Sequence, residues 1–337
     1  MQTLVTGATG FLGSHLVERL LARGDSVRAL ARATSDTSFL TSRGVDLAIG
    51  DITQPETLPA ALADVEVVYH AAANVSDWGP WRDFKRITVV GTRNMLRAAG
   101  EAGVKRFLHV SSDAVYKFSD LRKGVDEETA VETRFGPLDY YRRSKTAAEK
   151  IARKAHAEGL VPVSIVRPAL ILGERDAAML PAVLAFIKSA TPTYIGNAKN
   201  QLPCVYAGDV AELSILAATS DEAAGEIYNA VNEEYVTQQD LFESAAETAE
   251  LTPPTRHIPL RALYAIAAGM EAAARLRGWG KRPELTRFAV NLLGVDYVES
   301  NEKARSRLGW KAEVDMREAV RRSIEWARNR KRQPVSN

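Results

Sequence analysis

The run Thr3-Leu4-Val5-Thr6-Gly7-Ala8-Thr9-Gly10-Phe11-Leu12-Gly13-Ser14 opens the chain and decides its fold. A short β-rich stretch, three glycines spaced GxxGxxG and a helical pattern over 12–22 make the strand–turn–helix that begins a βαβ unit. Glycines let the backbone turn sharply and approach an anionic group, while the start of the following helix points free N–H groups at it. Gly7, Thr9, Gly10, Phe11, Leu12 and Gly13 are therefore candidate contacts for a pyrophosphate, with Gly13 also letting the helix pack closely on the strand. The spacing departs from the commoner GxGxxG fingerprint, so the placement between first strand and first helix carries the reading.

Outward from that turn, strand-like runs at 3–6, 27–30, 46–49, 65–70, 106–111 and 163–166 alternate with helical patterns at 12–22, after Pro55, at 89–102 and at 141–157. That rhythm, with nearly continuous apolar strands, predicts an α/β Rossmann fold, a doubly wound parallel sheet covered on both faces. After Gly173 it breaks. The reading places a dinucleotide-binding domain at 1–172, rejoined by sheet-associated pieces at about 204–231. A smaller, mostly helical C-terminal substrate domain takes 173–203 and 232–330, with an amphipathic helix at 316–328 before a basic, frayed tail through 337.

Composition removes other classes. With 44 Lys plus Arg against 42 Asp plus Glu, the net charge of +2 argues against a nucleic-acid partner. Cys204 is the only cysteine, which excludes an internal disulfide and a cysteine-rich zinc site. The five histidines lack metal-ligand spacing, so no metal is expected. A strand beginning near the second residue leaves no room for a signal sequence, and no run approaches the roughly eighteen apolar residues of a membrane span. The expectation is a cytoplasmic protein.

The end of the second strand should show the choice of dinucleotide. No acid stands there to hold ribose hydroxyls; Arg28 and Arg32 do, and a guanidinium suits a 2′-phosphate, so NADP(H) is favoured over NAD(H).

Tyr141 and Lys145 stand four apart at the start of a helical pattern and share a face. Bringing a tyrosine from its ordinary value near 10 to neutrality needs roughly 4 kcal/mol, about what an ammonium 4 Å away provides at an effective dielectric near 20. Ser112, closing the fifth strand, is placed to donate to a substrate carbonyl. All three lie at the carboxyl edge of the sheet, where ligands bind.

With these features the chain resembles the extended short-chain dehydrogenase/reductase family, in its 3β-hydroxysteroid dehydrogenase-like and dihydroflavonol reductase-like branch. The resemblance covers nearly the whole chain. It rests on TGATGFLG from Thr6, Gly50-Asp51-Ile52, His70-Ala71-Ala72-Ala73, Gly91-Thr92-Arg93-Asn94, Ser111-Ser112, Tyr141 to Lys145, Arg167-Pro168, Tyr206 to Ala211 and Tyr228-Asn229. It implies a hydride transfer in which Tyr141 is the acid or base, Lys145 holds the ribose and tunes Tyr141, and Ser112 polarises the carbonyl. It further implies that Asp51 and Ile52 flank the adenine, Ala71, Ala72 and Ala73 the pyrophosphate and ribose, and Pro168 and Ala169 the nicotinamide; a homodimer is a family expectation. Two departures stand out: Thr88 replaces a frequent Asn, and Asp113 is followed by Ala114 where sugar dehydratases of the wider family carry a glutamate, which demotes a dehydratase.

On the substrate side, Trp78 and Trp81 follow the fourth strand, where they either wall an apolar small-molecule substrate or cover the sheet edge; Asp113 is a further candidate contact. The alanine-rich helix expected over 260–276, followed by Arg277, Lys281 and Arg282, is either an interdomain or dimer surface or a peripheral membrane contact. The charged stretch 117–139 reads as a solvated loop over the site. The leading expectation is a ketone–alcohol oxidoreductase acting on a largely apolar molecule that is steroid-like, flavonoid-like or a β-keto acid. A nucleotide-sugar epimerase with tightly bound cofactor and a non-catalytic NADP(H) sensor are the alternatives.

Overall fold

The structure, a computed structural model, describes residues 1–332. Strands β1 (Gln2–Thr6), β2 (Ser26–Ala31), β3 (Asp46–Ile49), β4 (Val67–His70), β5 (Arg106–Val110) and β6 (Val163–Pro168) are followed by β7 (Leu170–Leu172), β8 (Thr193–Ile195), β9 (Cys204–Tyr206), β10 (Ile227–Ala230) and β11 (Arg256–Ile258). Seven of them form one parallel sheet in the order β3-β2-β1-β4-β5-β6-β10. The order reverses between β1 and β4, which opens a crevice at their carboxyl ends.

Successive strand residues point to opposite faces, and both faces are apolar. Leu4, Val68, Phe107 and Ile165 pack with the helices Gly91–Glu101 and Tyr140–Ala157. Val5, Tyr69, Leu108 and Val166 pack with Phe11–Ala22 and Ala207–Thr219. A separate core, containing Leu180, Tyr194, Phe242 and Ile324, sits beyond the carboxyl end of the sheet. The crevice therefore lies between two packed bodies of side chains.

Several elements differ from expectation. The pairs β7–β9 and β8–β11, each of three-residue strands, carry too little periodicity to read. The helix expected from 89 begins earlier, with a π-helical stretch at Lys85–Val90 that runs into Gly91–Glu101. The stretch 117–139 is not a purely solvated loop: Leu121 and Val125 pack with Tyr116 and Tyr297, and Val125 exchanges backbone hydrogen bonds with Val298 and Ser300. Most of its charges are outward, but Glu127 is buried and accepts the Asn229 N–H at 2.7 Å, which with the apolar residues holds the stretch down. The last helix continues through Arg332, past the expected end at 328, and pairs of Arg321 with Glu318 and Glu325 at i,i+3 and i,i+4 spacing support its first half. The remaining tail residues, 333–337, lie outside the described ones.

Candidate active site

The glycine turn is dictated by sterics. Gly7 adopts φ +71°, and a Cβ there would stand 2.9 Å from the backbone nitrogen of Ala72. A Cβ on Gly13 would stand 2.0 Å from the carbonyl oxygen of Gly7, so the helix Phe11–Ala22 can cross the turn only as glycine. Gly10 supplies no side-chain cap and the first helical turn carries no acid, so the positive helix end faces the crevice. Thr6 and His70, which open two of the motifs quoted above, brace the arrangement. Thr6 Oγ1 lies 2.8 Å from His70 Nδ1 and accepts from the Ala72 N–H, while His70 Nε2 meets Thr92 Oγ1 at 3.0 Å.

From this turn runs a cavity of about 830 Å3, large enough for a dinucleotide end and a small substrate. Its walls contain Gly7, Thr9, Gly10, Phe11, Leu12 and Gly13; Arg32, Asp51 and Ile52; Ala71, Ala72 and Ala73; Ser112, Asp113, Tyr141 and Lys145; and Pro168 and Ala169. The two arginines at β2 part company. Arg32 is exposed, lines the cavity and has no ion-pair partner among the described residues. Arg28 instead donates to Asp46 Oδ2 at 2.6 Å and to the carbonyls of Ala61 and Ala63, away from the cavity. It sits mid-strand opposite the start of β3, three residues short of the carboxyl edge.

At the other end, Ser112 Oγ donates to Asp113 Oδ1 at 3.0 Å and accepts the Ala114 N–H. Burial foremost pushes Asp113 up to about 7, against the opposing hydrogen bond from Ser112. Tyr141 is pushed up to about 12, first by burial and then by the Asp113 charge, with a Ser112 hydrogen bond opposing. Lys145 is brought down to about 8 by burial, with Glu149 opposing. The expectation that Lys145 tunes Tyr141 meets a different geometry here: its ammonium donates to the Val110 carbonyl at 3.0 Å. A buried ammonium takes the acceptor within reach, and the end of β5 offers one.

Behind these groups a buried network fixes the strand ends. Glu149 accepts from Ser111 Oγ at 2.6 Å and holds Arg167 through two hydrogen bonds of 2.6 and 3.0 Å. Arg167 also donates to Tyr116 Oη, which donates to Asn229 Oδ1. Arg142 ties the backbone carbonyls of Ala114 and Tyr116 to Asp139. Three segments distant in sequence are thereby locked to the helix carrying Tyr141 and Lys145.

The substrate half of the cavity is built by residues that sequence reading did not single out. Phe288 meets the Tyr141 ring edge-on at 5.4 Å, and Met179, Leu292, Val295 and Tyr297 extend the apolar wall. Asp176 caps the helix Met179–Ile187, accepting from the N–H groups of Ala178, Met179 and Leu180 at 2.7–3.0 Å. Trp78 and Trp81 are not in the wall. Trp78 packs on Trp279 at 5.1 Å and Trp81 on Tyr140 at 5.8 Å, so the two rings join the loop after β4 to other segments at the sheet edge. Thr88 is likewise outside it, its hydroxyl accepting from the Asn74 N–H.

The sequence profile of the NAD dependent epimerase/dehydratase family matches residues 3–230. A 4-hydroxy-2-methyl-3-oxo-4-farnesyl-3,4-dihydroquinoline-1-oxide ketoreductase of Stigmatella aurantiaca is 32% identical over 93% of each chain. Sterol demethylase protein B of Methylococcus capsulatus is 31% identical over 98% of this chain and 99% of its own. Among solved structures, that of gox2253 is similar with a TM-score of 0.80 and 33% identity, covering 98% of this chain and 99% of the other.

Proposed function

The chain belongs to the NAD dependent epimerase/dehydratase family and is an oxidoreductase; from that premise we propose that it is an NADPH-preferring ketoreductase acting on a largely apolar ketone. The observation that carries this reading is the substrate half of the cavity. Its cationic wall residues are Arg32, Arg86, Arg142 and Lys145. Arg32 and Arg86 stand at the dinucleotide end, where Arg86 donates to Thr53, and Arg142 is consumed by Asp139 and backbone carbonyls. Lys145 is turned to the Val110 carbonyl, so no unengaged cation among the described residues faces Phe288, Leu292 and Val295, and Asp176 already occupies the nearby helix start. A nucleotide diphosphate would find repulsion where it needs a cation, whereas an apolar ketone would find van der Waals surface. A farnesylated ketone and a sterol appear in the names of the two relatives, which fits the same class.

The residues suit the dinucleotide. The uncapped helix start and glycine turn would hold the pyrophosphate, Asp51 and Ile52 the adenine end, and Arg32 a 2′-phosphate; when bound, the reduced nicotinamide supplies hydride. Reduction then asks Ser112 to turn its hydrogen from Asp113 to the carbonyl oxygen, which polarises the carbon. Tyr141, protonated at neutrality like any phenol and raised further by burial, donates its proton to the developing alkoxide. Lys145, still mostly cationic near pH 7 and held by the Val110 carbonyl, supplies a positive charge to the cavity wall.

The test is to incubate the purified chain with NADPH or NADH and a panel of steroid ketones, flavonoid ketones, β-keto acids and UDP-sugars, following nicotinamide absorbance and products. Stoichiometric oxidation of NADPH by an apolar ketone is the expected result. Conversion of a UDP-sugar without net absorbance change would overturn it in favour of an epimerase, and NADH binding about tenfold tighter than NADPH would overturn the cofactor preference.

A further inference from the structure

The helix Leu260–Leu276 is apolar on its outward face as well as on its inner one. Its inner face buries Leu263, Ala267 and Glu271, at i, i+4 and i+8, against Ile195 and Val290 of the underlying core. Leu260, Met270 and Ala274 are half-buried beside that line, and the opposite face is open: Leu276 is 90% exposed and Ile266 50%, with Tyr264 38% exposed at the border. A surface helix of a monomeric chain ordinarily buries a stripe about 100° wide and turns charge to water. Here the outward face carries alanine, isoleucine, leucine and glycine between cations.

The charge on that face has one sign. Arg261, Arg275, Arg277 and Lys281 are exposed and form no ion pair among the described residues. Glu271 is the one acid in 260–282, and it is buried, holding Arg287 through its backbone N–H at 2.8 Å and its Nε at 2.6 Å. A second copy of the chain fits this face poorly. Parallel pairing of two such helices sets each cationic end against itself, antiparallel pairing sets Arg261 against Arg275 and Arg277, and neither offers an exposed acid in reply. An anionic lipid surface answers both features at once, because it takes up the apolar side chains and the cations together.

We infer that this helix docks the protein on anionic membrane surfaces and sets the mouth of the cavity against the lipid. Glu271 fixes Arg287, the first residue of the helix Arg287–Gly294, and the next residue, Phe288, lies against Tyr141. The docking helix is therefore one ion pair away from the wall of the active site. The use assigned to docking, direct entry of an apolar ketone from the bilayer, rests on the ketoreductase reading; the docking itself rests on the helix.

The experiment is flotation of the full chain with vesicles of phosphatidylcholine alone and of phosphatidylcholine containing about 30% phosphatidylglycerol, at low salt and at about 0.5 M salt. Binding to the phosphatidylglycerol vesicles, release by salt and little binding to phosphatidylcholine are expected. The charge reversals Arg275→Glu and Arg277→Glu together, and separately Ile266→Asp with Leu276→Asp, should each lower partition at least about tenfold, since one surface cation alone is worth about fivefold. Circular dichroism and thermal midpoints of these exposed-site variants should match the parent, as should reduction of a short water-soluble ketone. Failure to float with anionic vesicles, or equal binding by the variants, overturns the docking. So does a dimer in sedimentation equilibrium that Ile266→Asp with Leu276→Asp dissociates, because a second copy then covers the face. A chain that floats as expected yet reduces no ketone sustains the docking and rejects the ketoreductase reading.

Discussion

Ser112 donates its hydroxyl hydrogen to Asp113, so the group assigned to polarise a carbonyl is held by a carboxylate that burial has lifted to about 7. The carboxyl group is thus poorly solvated when ionised, and its stabilising protonated form persists far above the ordinary carboxylate range. Its contribution to stability is complete below pH of about 4 and is lost as pH rises to about 7. Asp113→Asn keeps an acceptor for Ser112 without the ionisation. The variant should therefore gain on the parent from about pH 4 upward and reach a plateau above pH 7, by at most roughly 4 kcal/mol. Calorimetric midpoints measured between pH 5 and 9 check this, and a difference independent of pH would contradict it.

The catalytic assignment predicts unequal losses. Tyr141→Phe removes the proton donor and should lower kcat by roughly 10²–10⁴-fold, while dinucleotide binding, measured by fluorescence, changes little. Ser112→Ala removes one hydrogen bond to the carbonyl and should cost on the order of 10²-fold in kcat. Lys145→Met should weaken dinucleotide binding as well as kcat, which separates its part from that of Tyr141. Unchanged turnover by Tyr141→Phe would remove the tyrosine from the chemistry.

Two arginines four residues apart give a paired test of the dinucleotide end. Arg32→Ala should weaken NADPH about tenfold or more and leave NADH nearly unchanged, because a single charge-assisted contact to a phosphate is worth roughly 1.5–3 kcal/mol. Arg28→Ala should leave both affinities unchanged, since Asp46 and two backbone carbonyls absorb the guanidinium. Isothermal titration with both dinucleotides decides it; equal losses for NADPH and NADH at Arg32 would assign that residue to something other than a 2′-phosphate.

What sequence reading reached in this protein follows from where the determining forces are local. The turn from Gly7 to Gly13 is forced by contacts within a few residues and against β4, so glycine spacing exposes it. Ser112, Tyr141 and Lys145 are legible because strand ends and helix starts lie where chain periodicity changes. Arg28 misleads because the sequence does not mark where the strand ends: β2 stops at Ala31, so Arg32 stands just past the carboxyl edge while Arg28 lies mid-strand opposite Asp46. Phe288 and Tyr297 are brought beside Tyr141 and Asp113 from about 150 residues away or more, with no local pattern to announce them. The tryptophans were visible as large rings, but their partners Trp279 and Tyr140 come from other segments and draw them out of the wall.

The pair Glu149–Arg167 offers the sharpest test of how the site is held. Both side chains are buried, their nearest contact is 2.6 Å, and the carboxylate also takes the Ser111 hydroxyl. Removing one partner leaves an uncompensated charge in a low-dielectric interior, so Glu149→Ala and Arg167→Ala should each cost about 3–5 kcal/mol. Replacing both by apolar residues of similar bulk, Glu149→Leu with Arg167→Met, removes both desolvation penalties and should cost less than the two single changes added together. Yet the double variant still loses the Ser111 and Tyr116 contacts, so the strand end bearing Ser112 loosens and kcat falls even where stability recovers. Denaturant unfolding combined with steady-state kinetics separates the two effects. Additive stability losses would show that the charges act independently, and full kcat in the double variant would show that the network positions nothing.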